Sequence, residues 1–313
     1  MTRKILQRSA IVLISIGVLF CAILWFATNM LLFPSWRGVS KNLADCPAET
    51  ARYWGQDCGN LRRSHSFTFS EIRVPSINGY QIPGWLIESA QIGAGPARGV
   101  IFLVHAGGSD RREGTRYVHF LLSEHLDVVT FDLGCHGEAP CPVPGLSYGD
   151  RESRDVFSVY RHLIQRYDTV FAMGTSVGAA AILTALPGMP QLAGAIAENP
   201  LISFQRLMID TSASRSTPRW FIDTLVGVTE FRGRFDGLVN PLTSLKLVNK
   251  TPIYFIHSKQ DTIVPYQQTE ELAAVYAGPK TVWISDKGDH TAIWDADPTQ
   301  FEAKLRTFLR PSP

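Results

Sequence analysis

A serine hydroxyl, an imidazole to take its proton and a carboxylate to orient the imidazole are together enough for acyl transfer. The chain offers such a serine in Gly174-Thr175-Ser176-Val177-Gly178, a G-x-S-x-G pattern. In a strand-to-helix elbow the serine backbone is strained, and the positions two before and two after it are crowded, so glycine is wanted at both. A second copy, Gly145-Leu146-Ser147-Tyr148-Gly149, competes for the role. It follows Cys141-Pro142-Val143-Pro144, and prolines cannot donate to a central ladder, so this copy reads as a loop. The first copy follows Thr169-Val170-Phe171-Ala172-Met173, an apolar β-favouring run, and precedes Ala179 to Leu186, a small-residue helix closed by Pro187-Gly188. Ser176 is the expected nucleophile.

Eight histidines compete to be its base. His65, His119, His125 and His162 fall in polar or helical stretches, where solvated or packed roles are expected. His257 ends a strand too early in its segment, and His136 belongs to a turn after a strand. His290 remains, in Gly288-Asp289-His290-Thr291, just past the last expected strand. The carboxylate should follow the strand before that one, where Ile253 to Pro265 offers Asp261, with Asp286 and Asp289 as rivals in the histidine's own loop. The order Ser176, Asp261, His290 suits groups carried on successive strand ends. A tetrahedral intermediate also needs an oxyanion hole. The Val177 amide supplies one donor, and Gly107, with Ala106 as the alternative, supplies the other from His105-Ala106-Gly107-Gly108. His105 itself is expected to fix that loop through its backbone.

The elements that must position these groups alternate apolar strands with helices, the pattern of an α/β fold with a mostly parallel sheet covered on both faces. Strands are predicted at Val100 to Val104, Val128 to Phe131, Val170 to Met173, Ala193 to Ala197, Ile253 to His257 and Thr281 to Ile284. Helices are predicted at Glu113 to Glu124, Arg151 to Arg166, Val177 to Leu186, Gln267 to Tyr276 and Thr299 to Leu309. A hairpin, with Asn78-Gly79 at its turn, opens the sheet between Phe67 and Ile87. Residues 199–250 interrupt the alternation with Phe204, Met208, Trp220, Phe221, Phe231 and Phe235 beside Arg206, Arg215, Arg219, Arg232 and Arg234. A small cap with a buried aromatic side and a solvated charged side is expected there. The alternative is a lid whose aromatics line an acyl pocket and whose arginines meet an anionic substrate or lipid head groups.

The N-terminus differs in kind: Arg3, Lys4 and Arg8 precede an apolar run from Ala10 to Phe33. About 20 apolar residues cross a bilayer as a helix. No small-x-small cleavage site is evident, so residues 1–34 are expected to be an uncleaved anchor. Residues 35–66 read as a juxtamembrane connector and 67–313 as the globular domain. Basic residues on both sides, with Arg37 and Lys41 beyond the helix, leave the orientation nearly balanced. The cysteines weigh on it: Cys46 with Cys58, and Cys135 with Cys141, form two closely spaced pairs that suit an oxidising, extracytoplasmic compartment. A net charge of +2 gives no reason to expect nucleic acid.

Gly174-Thr175-Ser176-Val177-Gly178, His105-Ala106-Gly107-Gly108, Asp132-Leu133-Gly134-Cys135-His136-Gly137, Asp261-Thr262-Ile263-Val264-Pro265 and Gly288-Asp289-His290 together resemble the α/β-hydrolase superfamily. Within it they resemble the serine aminopeptidase and prolyl-oligopeptidase-like branch, some of whose members are membrane-anchored. The superfamily commonly has His-Gly where this chain has His105-Ala106. The resemblance implies a serine hydrolase acting on an ester, thioester or amide of a small-molecule, lipid or peptide substrate. A non-catalytic scaffold on the same fold and an acyltransferase with the same acyl-enzyme are the alternatives. No metal-ligand cluster or phosphate loop is present in the sequence, so no cofactor is expected.

Overall fold

The computed structural model describes residues 2–33, 43–46, 48–93, 96–211 and 216–310. Arg37 and Lys41 of the connector and Arg215 of the cap lie outside them. The chain begins with α1 (Thr2–Leu32), of which Gln7–Leu32 has mean hydropathy 2.7 and is long and apolar enough to cross a membrane. From Gln7 onward its side chains are mostly apolar and mostly exposed.

Residues 43–66 are packed into the globular body as well as linking to it. They carry α2 (Ala48–Trp54), α3 (Leu61–Ser64) and the Cys46–Cys58 disulfide. Leu43 and Leu61 are buried in the core beside Trp85, and the fully buried Arg112 guanidinium donates to the carbonyls of Leu43 and Asp45.

β1 (Ser70–Pro75) and β2 (Gln81–Ile87) form the expected hairpin. Phe67–Phe69 lies ahead of the ladder, where Phe69 packs on Trp85 instead. There follow β3 (Gly99–Val104), α4 (Val118–Ser123) and β4 (Leu126–Phe131). The expected helix from Glu113 begins as a 3-10 turn, at Gly114, which approaches β3 so closely that a Cβ would stand 3.0 Å from Leu103. After α5 (Asp150–Leu163) come β5 (Val170–Thr175), α6 (Val177–Ala185) and β6 (Gly194–Glu198). The insertion then carries α7 (Phe204–Asp210), α8 (Arg219–Gly233) and α9 (Pro241–Leu245). β7 (Ile253–Ser258), α10 (Gln267–Val275), β8 (Lys280–Ser285), α11 (Ile293–Ala296) and α12 (Pro298–Leu309) complete the chain.

Among the described residues the sheet has eight strands in the order β1-β2-β4-β3-β5-β6-β7-β8. β1 and β2 are antiparallel and the other six run parallel, so their carboxyl ends gather on one edge. β3 to β7 are buried along their whole length, as expected where helices cover both faces. One apolar core lies under α5, α6 and α10, and another under α4 and α12. The strand order reverses between β4 and β5, which brings the ends of β3 and β5 together, the place where sheets of this kind hold their sites.

The insertion is not a simple two-sided cap. Phe204 and Phe235 are buried, yet Trp220 is 62% and Phe231 85% exposed, so part of its aromatic side faces outward. Its arginines are largely spoken for: Arg206 pairs with Asp210 and Glu271, and Arg219 with Asp223. Leu245 of α9 joins the main core, so the insertion has rejoined the body by that helix.

Candidate active site

Ser176 sits between β5 and α6 with φ 56° and ψ −117°, a conformation that costs a non-glycine residue roughly 1–3 kcal/mol. Its amide donates to the Glu198 carbonyl of the neighbouring strand, at 2.8 Å. The flanking glycines are required sterically. A Cβ on Gly174 would stand 2.7 Å from the Gly178 backbone, and one on Gly178 would stand 2.3 Å from the Val104 carbonyl oxygen. Neither space exists for a side chain, so strand and helix close on each other and lift the serine above the sheet. Behind the turn, the Glu198 carboxylate accepts from Thr175 and Tyr117. Burial pushes its pKa up to about 7, with Arg116 opposing.

The three residues expected from the sequence meet here. Ser176 Oγ lies 2.8 Å from His290 Nε2, and His290 Nδ1 lies 2.6 Å from Asp261 Oδ2. With the Nδ1 proton donated to the carboxylate, Nε2 is left to accept the serine proton. All three side chains are largely withdrawn from water. The rivals of Asp261 are occupied elsewhere, Asp286 with Lys259 at the surface and Asp289 with the Thr291 amide.

Asp261 is held from every side. Its Oδ1 accepts the amides of Ile263 and Val264, both at 2.8 Å, because the chain turns back on itself before Pro265. Burial alone would raise its pKa. Hydrogen bonds from His257 and His290 outweigh that and hold it well below the usual carboxylate range. The carboxylate is thus ionised whenever His290 needs an anion.

Three positioning residues were missed from sequence. His257, fully buried at the end of β7, has Nε2 3.1 Å from Asp261 Oδ2 and 2.9 Å from the Val264 carbonyl. Both neighbours only accept, so Nε2 carries a proton, and Nδ1 accepts the Thr269 hydroxyl at 2.6 Å. The available signal was its place as the penultimate residue of an apolar strand, four positions before the acid. Asn199 ends β6 with φ 47°, donates to the His290 carbonyl and accepts the Ser258 amide at 3.0 Å. Ser258 in turn donates to the Gly288 carbonyl at 2.6 Å, which ties the His290 loop to β7. No sequence pattern marks Asn199 or Ser258, since both act through contacts between distant strand ends.

Beside the elbow runs the loop from His105. A Cβ on Gly107 would stand 2.8 Å from Val177 Cγ2 and 3.2 Å from Leu146 Cδ2, so glycine lets the loop reach the elbow. The Ala106 amide lies 3.2 Å from Glu113 Oε2, which engages it. His105 behaves as a brace: its Nε2 accepts the Leu133 amide at 3.0 Å, so Nδ1 carries the proton given to the Ala106 carbonyl at 2.7 Å. Burial drives its pKa well down. His136 Nε2 faces the Gly107 carbonyl at 2.7 Å and so steadies the next peptide of the same loop.

Residues 145–288 match the prolyl oligopeptidase family. A solved esterase of Pyrococcus furiosus superposes with a TM-score of 0.63 at 19% identity, covering 79% of this chain and 92% of that one. The chain is a serine hydrolase with the α/β-hydrolase fold. An acylaminoacyl peptidase of Pyrococcus horikoshii also shares the fold, with a TM-score of 0.59 at 19% identity over 80% of this hydrolase but only 42% of the peptidase. The uncharacterised Bacillus subtilis protein YqkD is 26% identical over 248 residues, 75% of this hydrolase and 77% of that protein.

Proposed function

We propose that this hydrolase is membrane-anchored and cleaves a carboxylic ester, thioester or amide through an acyl-enzyme on Ser176. The observation that carries the reading is the buried relay from Ser176 Oγ through His290 to Asp261, at 2.8 and 2.6 Å. Ser176 attacks the acyl carbon while His290 takes its proton and then returns it to the leaving group. The amides of Val177 and Gly107 receive the oxyanion. Water, deprotonated by His290, releases the acid and restores the serine. Asp261 orients the imidazole and stabilises its charged form, and His257 and Asn199 position the acid and the base.

The anchor is α1, with the catalytic domain on the extracytoplasmic side. The Cys46–Cys58 and Cys135–Cys141 disulfides support that side, since such bridges persist in oxidising compartments. The test of the covalent step is rapid mixing with a p-nitrophenyl ester. A burst of p-nitrophenol stoichiometric with enzyme is expected, and product release with no burst even when water is made the poorer acceptor by deuteration would argue against an accumulating acyl-enzyme.

A further inference from the structure

We infer that the acyl group reaches Ser176 from the lipid bilayer, and that the last turn of α1 is a wall of the acyl site. The inference rests on the reading of Ser176 as nucleophile and names its substrate class: an acyl ester of a membrane lipid. In the first step the bond from serine oxygen to acyl carbon forms and the ester C–O bond breaks, the lipid alcohol leaving with the proton carried by His290. Water then adds its oxygen to the acyl carbon, and a fatty acid departs.

The argument begins at Leu32, the last residue of α1, which is only 2% exposed. Its carbonyl accepts the Leu146 amide at 3.0 Å, and the Leu31 carbonyl accepts the Tyr148 hydroxyl at 2.8 Å. Two glycines make room for its side chain. A Cβ on Gly145 would stand 3.1 Å from Leu32 Cδ2, and one on Gly233 would stand 2.7 Å from it. Leu32 shares one apolar cluster with Leu146, Val177, Phe204 and Phe235. Val177 is the residue after the nucleophile, and Leu146 touches the space beside Gly107. The end of the apolar helix and the oxyanion loop are thus separated by a single layer of side chains.

The depth of that layer follows from length. The 26 residues of Gln7–Leu32 make a helix roughly 39 Å long at about 1.5 Å per residue, longer than a hydrocarbon core of about 30 Å. The excess of about 9 Å, roughly six residues, lets the last turn with Leu31 and Leu32 reach the head-group layer. About two turns before that end, Trp25 carries the Arg232 guanidinium at 3.6 Å over its ring. α8 packs along α1, with Trp220 and Phe221 each 6.3 Å from Phe20. Its outward Trp220, exposed in water, is an apolar side chain beside the anchor and becomes buried once lipid surrounds it. A substrate delivered from water would need neither the anchor's end at the nucleophile nor that apolar face.

The test uses the full chain in vesicles of phosphatidylcholine and phosphatidylglycerol, with p-nitrophenyl butyrate dissolved in water and p-nitrophenyl palmitate dissolved in the bilayer. The expected kcat/KM favours palmitate by about tenfold or more. Leu32→Ala and Leu32→Trp should each shrink that preference severalfold, while fluorophosphonate labelling of Ser176 reports that the variants are folded. Equal or faster turnover of butyrate by labelled wild-type protein overturns the inference and leaves the nucleophile standing; that comparison needs no variant to fold. An undiminished palmitate preference in labelled Leu32 variants overturns the anchor's part in the site. Wild-type protein that hydrolyses neither ester and does not label overturns the nucleophile itself, and the inference with it.

Discussion

The two G-x-S-x-G stretches share a spacing and little else. In the Ser176 copy neither glycine has positive φ; each is required because backbone presses on it, at 2.7 Å for Gly174 and 2.3 Å for Gly178. In the Ser147 copy the glycines supply conformation, φ +106° at Gly145 and +122° at Gly149, and a Cβ on Gly149 would meet nothing closer than 3.7 Å. The serines differ in the same way. Ser176 is strained and its hydroxyl points to an imidazole. Ser147 donates to the Glu152 carboxylate and accepts the Arg151 amide at 2.8 Å, closing the N-terminus of α5. One spacing thus gives two different turns through what packs on it, and only the crowded one holds its serine against an imidazole.

Exchanging the serines for alanine is the largest expected way to break the comparison. Ser176→Ala should lower kcat by about 10⁴-fold or more in an ester assay. Ser147→Ala should leave kcat within a few-fold but lower stability by about 1–2 kcal/mol in urea unfolding, through the lost buried hydrogen bonds. Comparable loss of activity in both would erase the distinction drawn here. For the glycines, Gly178→Ala should cost about 3 kcal/mol or more, as clash with backbone that cannot yield, and Gly149→Ala about 1–2 kcal/mol, as strain alone. Denaturant midpoints of the two variants check the order.

A smaller effect probes the support of the acid. His257→Phe removes one donor to Asp261, and loss of a hydrogen bond to a charged group is worth roughly 1.5–3 kcal/mol. We expect kcat/KM to fall about tenfold or more and the acidic, ascending limb of its pH profile to move, with recovery toward wild type in His257→Gln. A change in stability alone, with the profile unmoved, would make His257 a packing residue.

The smallest contrast lies in the buried glutamates behind each copy, which should bend stability in opposite directions with pH. Glu198, raised to about 7 by burial, binds its proton more tightly folded than unfolded. Its contribution is therefore present at acid pH and lost as pH rises from about 4.5 to 7. Glu152 is also buried, yet the Arg151 charge and hydrogen bonds from Ser147 and Gly149 outweigh that and lower its pKa. Its contribution holds above the ordinary carboxylate range and is lost as pH falls through it. Thermal melts across pH should show Glu198→Gln flattening the first loss and Glu152→Gln the second.

The parallel strands and their helices were legible almost to the residue, because each is a short apolar run closed by a turn. That Ser176, Asp261 and His290 would meet was legible because each follows such a run. What could not be read depends on proximity between distant segments. His257 looked like a strand residue because its partner lies in the following loop, and Asn199 gains its purpose only where β6, β7 and the His290 loop converge. Likewise the contact of the Ala106 amide with Glu113, from a later turn, had no mark in the sequence. The connector looked polar because Arg112, far along the chain, was not yet there to satisfy its carbonyls.

The most direct measurement is fluorophosphonate labelling of the full chain, with the modified residue mapped by peptide mass spectrometry. The account predicts a single adduct on Ser176, absent from Ser176→Ala, undiminished in Ser147→Ala and strongly slowed in His290→Gln. An adduct on Ser147, or equal labelling of intact Ser176→Ala protein, would contradict it.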